Sequence, residues 1–131
     1  MMPLELVRTF YESVVSEHRL EDLPRFIGAD CVLRQGERTV PLGPAGMARH
    51  LTDLRETYPD YTVRILRQHW AAPYVISECV MEGTHLGPWP GKTPTGKRLT
   101  FTGVNVDRVE HGGAVNTFEP LWEAGIIRPT E

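Results

Sequence analysis

The stretch GTHLGPWPGKTPTGKRLTFTGVNVDRV, Gly83 to Val109, decides how this chain folds. It begins as a β-rich run that started near Tyr74 comes to its end. Pro88, Pro90 and Pro94 then alternate with Gly87, Gly91 and Gly96. Proline fixes φ and lacks an N–H, and glycine tolerates turns, so the segment reads as a loop. A second β-rich run follows from Arg98 to Val109.

Outward from this stretch the pattern continues in both directions. Downstream, a further β-rich run covers Gly113 to Leu121, reached through Glu110-His111-Gly112-Gly113. So short a link suits an antiparallel hairpin, because parallel strands need a long crossover. Upstream, Tyr61, Val63 and Ile65 alternate with Thr62 and Arg64, the period of a half-buried strand. Before Tyr58-Pro59-Asp60 the period lengthens. Met47, Leu51 and Leu54 recur at helical spacing between Gly43 and Thr57, with His50 on the same face. A short helix is predicted from about Leu20 to Phe26, followed by a short strand over Cys31, Val32 and Leu33. The N-terminal stretch from Pro3 to Ser16 carries Leu4, Val7, Tyr11 and Val14 on one stripe, and Pro3 suits a first helical turn. Helices come first and a sheet follows, which predicts an α+β fold in a single domain, 1–131.

Composition agrees with one globular unit of 131 residues, 40% apolar and 24% charged. The net charge of −3, with no local concentration of Lys and Arg, argues against nucleic acid as a partner. The N-terminus lacks the apolar core of a signal peptide and no apolar run approaches spanning length, so a cytoplasmic protein with no membrane partner is expected. Cys31 and Cys79 stand alone among apolar neighbours, where a thiol behaves as a small buried hydrophobe.

Two motif-like features do not carry the chemistry they suggest. Gly91 to Lys97 matches the opening of a phosphate-binding loop, but Arg98 occupies the position of its Ser or Thr, and a strand follows instead of a helix. His18, His50, His69, His85 and His111 show neither an i, i+4 pair nor a cysteine partner, so no metal site is predicted. Neither a Gly-x-Ser-x-Gly turn nor a dinucleotide-binding glycine fingerprint is present.

Four segments in order resemble the SnoaL-like polyketide cyclase family, within the nuclear-transport-factor-2-like superfamily. They are the N-terminal helix, TYPDYTVRI at Thr57 to Ile65, the stretch from Gly83 to Val109, and the final GGAVNTFEPLWEAGII. The resemblance implies a cone-shaped barrel: a strongly curved, mainly antiparallel sheet packed against three N-terminal helices around a deep apolar pocket. It implies ring closure by intramolecular aldol chemistry on an aromatic or polycyclic intermediate, without cofactor or metal, and a homodimer paired through the outer sheet face. Related proteins hydrolyse epoxides, assist hydroxylations, isomerise steroids or only bind a hydrophobic ligand, and fold alone does not choose among these.

Aldol closure requires a base for a carbon acid and donors for the enolate and the new alkoxide, roles that a carboxyl in an apolar cavity can fill. Asn105 and Asp107 interrupt the alternating Val104 and Val106, and Asn116 and Glu119 flank Phe118. Side chains so placed either meet water or line the cavity. The family's terminal pattern, an aromatic residue followed four positions later by a catalytic aspartate, falls on Phe118 and Trp122, so that acid is missing. Asp107 with Asn105 is the preferred replacement. Glu119 is second, because its offset along the strand is odd unless Pro120 marks a bulge. His85 either points inward as a base or orders its hairpin. His50, Trp70, Trp89, Phe101, Phe118 and Trp122 are the expected further walls of the pocket.

Overall fold

The apolar stripe near the N-terminus does form a helix, but the helix changes pitch half way. The structure, a computed structural model, describes residues 2–35, 37–88, 93–109, 118–123 and 128–130. Helix α1 spans Pro3–Thr9 and runs on as a π-helical segment over Phe10–Val15. The Ser16 N–H bonds back to the Tyr11 carbonyl at 3.2 Å, the wider i to i−5 spacing. Leu6, Val7, Phe10, Val14 and Val15 are buried, each such side chain contributing about 1.5–3 kcal/mol of apolar burial.

The second helical stretch is a 3-10 helix, Leu20–Arg25, tightened around Pro24. Helix α2 covers Gly43–Thr57, the predicted range, with Met47 and Leu51 buried. Gly43, its first residue, has φ 62°, a left-handed conformation that disfavours any side chain. Arg55 joins the two helical layers. Its guanidinium donates to the Val15 and Ser16 carbonyls at 2.8 and 3.1 Å and to the Pro59 carbonyl at 3.1 Å. Burial lowers its pKa somewhat, against the pull of Asp60 and Tyr61.

Strands β1 (Val32–Gln35) and β2 (Arg38–Pro41) make a separate hairpin. The main sheet is antiparallel, in the order β3 (Thr62–Ala71), β4 (Tyr74–Thr84), β5 (Arg98–Val109), β6 (Phe118–Glu123), with β7 (Arg128–Thr130) also paired to β5. Neither β2 nor β7 was predicted, since three or four residues are too few to display a period. The predicted run Gly113 to Leu121 is described only from Phe118, where β6 begins.

Edge strand β3 is covered by the first helix through side chains. Ser16 Oγ accepts from the Val63 N–H at 2.8 Å and donates to its carbonyl at 3.1 Å, while Glu12 accepts from the Ile65 N–H at 2.9 Å. Polar groups that would invite another strand are thereby satisfied. The helix is held on the inner face of the sheet. On that face Val75, Ser77, Cys79 and Met81 alternate along β4, opposite Asp107, Asn105, Gly103 and Phe101 of β5. The family expectation of an α+β fold with a mainly antiparallel sheet against three helices holds. Cys31 and Cys79 are both buried.

Candidate functional site

Between helices and sheet lies a cavity of about 50 Å³. Phe10, Tyr11 and Val15 come from the π-helical segment, and Met47, His50, Leu51 and Leu54 from α2. The strands and their approaches add Leu33, Tyr61, Val63, Met81 and Asn105. The wall is mainly apolar, and its polar side chains are Tyr11, His50, Tyr61 and Asn105. Helical spacing in α2 puts His50 beside Met47 and Leu51, so the sequence pattern that marked the core face also delivers a histidine to the cavity.

Asn105 and Asp107 occupy successive inward positions of β5 and are 6% and 0% exposed. The Asn105 amide donates to Cys79 Sγ at 3.8 Å, and its Oδ1 has no hydrogen-bond partner among the described residues. A buried acceptor left in this way carries a desolvation cost of about 1–3 kcal/mol, which a ligand hydroxyl or amide would relieve. Asp107 is fully buried and is not one of the wall residues. Its Oδ1 accepts a hydrogen bond of 3.0 Å from the Tyr11 hydroxyl, 96 residues away in sequence. Tyr11 itself lines the cavity. Sequence reading placed it on the core stripe of the helix and missed its polar end, because only the fold brings a phenol near β5.

The conspicuous Gly-Thr-His-x-Gly segment has a different setting. A Cβ on Gly83 would stand 2.7 Å from Tyr58 Cβ, and one on Gly87 would run into the Glu56 carbonyl. The Leu86 and Gly87 N–H groups bond to the Thr57 carbonyl at 3.1 and 3.0 Å, and Thr57 Oγ1 donates to the Pro88 carbonyl at 3.0 Å. Thr84 donates to Asp60 through its N–H at 2.6 Å and its hydroxyl at 2.8 Å, and Arg98 donates to the same carboxylate at 3.1 Å. Those bonds from Thr84, with the charge of Arg98, hold the Asp60 carboxyl below its ordinary pKa. The segment is a seat for the end of α2 and for the Tyr58-Pro59-Asp60 turn.

His85 lies in that seat, 3% exposed, with its ring 5.7 Å from the Tyr58 ring. Its Nδ1 is 3.4 Å from Thr95 Oγ1, and its backbone pairs with Lys97 and Gly96. It is not on the cavity wall. Burial raises the pKa of the neighbouring Tyr58 phenol. Phe101 packs edge-on against Tyr58 at 5.7 Å, also off the wall. Trp70 is corrected: it is 48% exposed at the far end of β3 and is not among the residues that line this cavity.

The other candidates are fixed only by backbone register or lie outside the described residues. Phe118 stands opposite Val109, Glu119 opposite Arg108 and Trp122 opposite Val106. A register shift between Val106 and Asp107 puts Pro120 opposite Asp107 and Glu123 opposite Asn105. The residue left out of this pairing is Leu121, one position beyond Pro120, and Glu119 shares the row of Arg108, not that of Asp107. Trp89 and Asn116 lie outside the described residues. Among the described residues no three His, Cys, Asp or Glu side chains converge as a metal site would, and no helix is long and apolar enough to cross a membrane.

Comparison with known proteins places this architecture. A search of curated protein sequences finds no match. Among solved structures, a candidate polyketide cyclase from Acidithiobacillus ferrooxidans is similar at 22% identity and a TM-score of 0.73, covering 92% of this chain and 83% of that one. IdmH, a candidate polyketide cyclase from Streptomyces antibioticus, is 23% identical with a TM-score of 0.73, over 92% and 91% of the two chains. AclR, a candidate hydroxylase from Streptomyces galilaeus, is 22% identical with a TM-score of 0.70, over 96% and 77%. At such identities the likeness shows the fold. The family model described as SnoaL-like polyketide cyclase matches residues 5–118, and the chain belongs to that family.

Proposed function

We propose that this protein is a cofactor-independent, cyclase-type enzyme that closes a ring in an aromatic or polycyclic secondary-metabolite intermediate by aldol-type acid/base chemistry. The observation that carries the reading is the polar corner of a mainly apolar cavity. Asn105 offers an unpartnered acceptor there, and Asp107 sits two positions along the same strand face. Flat apolar rings suit Leu51, Met47, Met81 and Val63, while the polar corner meets the oxygens of the enolate and the carbonyl whose carbons the new bond joins. A cavity of about 50 Å³ holds a few waters, so a ring system requires its wall to yield. Met47 and Met81 are the pliable members of that wall.

The test compares two carboxyls. Asp107→Asn is expected to lower turnover of an enolisable polyketide-type substrate by about 10²-fold or more, as loss of a carboxyl that supports acid/base chemistry does. Glu119→Gln, in the other register row, is expected to cost little. Full turnover in both variants ends the assignment.

A second reading, a non-catalytic holder of a hydrophobic metabolite, is favoured by the burial of Asp107 off the cavity wall and by Trp122 at the family's acid position. Mass spectrometry separates the two, since a bound ligand recovered unchanged after incubation supports the holder and conversion refutes it. Hydroxylase-type or epoxide-opening chemistry in the same pocket is the remaining alternative. For assembly we propose a homodimer through the outer sheet face, and light scattering tests it.

A further inference from the structure

We infer that Tyr11 is the group that meets the substrate's carbonyl oxygen and that Asp107 acts through it as a positioning residue, a proposal that rests on the cyclase-type reading above. Three observations carry it. Asp107 is 0% exposed and is not a wall residue, whereas the Tyr11 ring lines the cavity and its hydroxyl bonds to Asp107 at 3.0 Å. Tyr11 lies in the π-helical segment Phe10–Val15, and the Ser16 N–H donates to its carbonyl at 3.2 Å. A helix widened in this way is found mostly as a local insertion at functional positions. Asn105, two positions from Asp107 on the same strand face, adds an acceptor without a partner among the described residues.

A phenol carries one proton and can also accept. With the carboxylate ionised, that proton is held by Asp107. With the carboxyl protonated, Asp107 donates to the phenol oxygen and the phenol proton turns to the cavity. Two donors then stand in series behind the ketone oxygen, the arrangement that polarises a carbonyl. No proton changes owner in this step. The Asn105 acceptor suits a substrate hydroxyl, so the substrate class is an aromatic ketone bearing a hydroxyl group.

The test uses 1-tetralone labelled with ¹³C at its carbonyl, bound to the intact protein and read by infrared difference spectroscopy. A donor on the carbonyl moves its stretch to lower wavenumber, an effect that a merely structural tyrosine does not produce. The band is expected lower in wild type than in Tyr11→Phe, with the fold of the variant checked by circular dichroism. Turnover in Tyr11→Phe is expected to fall about 10²-fold. Combining it with Asp107→Asn should cost little more than the worse single change, since the two act as a unit. A wild-type band at its position in hexane overturns the inference without any variant. Full turnover in Tyr11→Phe beside a loss in Asp107→Asn overturns it too, while leaving the cyclase-type reading intact. If wild type takes up no aromatic ketone, both fall together.

Discussion

The seat built from Gly83 to Gly87 and the cavity corner built from Tyr11, Asn105 and Asp107 are both places where polar residues interrupt an apolar interior. In the seat, Thr84, Asp60 and Arg98 answer one another, and glycines appear where backbone or ring leaves no room. In the corner, an amide oxygen is buried without a partner among the described residues. The seat too buries one atom without a partner among the described residues, His85 Nε2, but that ring lies off the cavity wall; the difference teaches that a conspicuous motif can serve architecture, whereas the groups that face the cavity are ordinary residues at alternate positions of a strand and on the core stripe of a helix.

Changes in the seat should therefore cost stability and leave chemistry alone. Gly87→Ala has the largest expected effect. Its new methyl group meets backbone, not a flexible side chain, and overpacking of this kind costs about 1–3 kcal/mol. Urea denaturation should show the loss, while the rate per folded molecule stays at the wild-type value. A collapse of that rate would break the separation between seat and corner. Thr84→Val comes next. It removes the hydroxyl bond to Asp60 but keeps the backbone one, so about 0.5–1.5 kcal/mol is expected at most, reduced by the exposure of the site.

The smallest effect is a pH dependence that belongs to the seat alone. The Asp60 pKa is lowered in the folded state, chiefly by its bond from the Thr84 N–H. Its contribution is therefore fully present above the ordinary carboxylate range, about pH 4, and is lost as pH falls through the depressed folded value. Asp60→Asn should flatten the acid limb of the stability curve. An unchanged limb would mean that the clamp adds nothing.

The helix from Gly43 to Thr57 and the strands at Tyr74 and Arg98 were legible because each is long enough to display its period. β2 and β7 are too short for that. Inward placement of Asn105 and Asp107 was open in the sequence, because alternation gives two faces without saying which one the helices cover; pairing with Ser77 and Val75 on the covered face decides it. The Tyr11 contact was not legible, since it joins residues 96 apart and depends on a widened helical turn. The aromatic inventory misled at Trp70, where a large ring near a strand end is exposed and not enclosed.

The central claim is that substrate oxygens meet the Tyr11 and Asn105 corner. A crystal structure of the protein with bound 1-tetralone tests it most directly. The account predicts the ring between Met47, Leu51 and Met81 with its carbonyl oxygen at hydrogen-bond distance from the Tyr11 hydroxyl, about 2.6–3.0 Å. A ketone seated instead against His85 and the Gly83 to Gly87 seat, or held in the cavity with its carbonyl turned away from Tyr11, would contradict it.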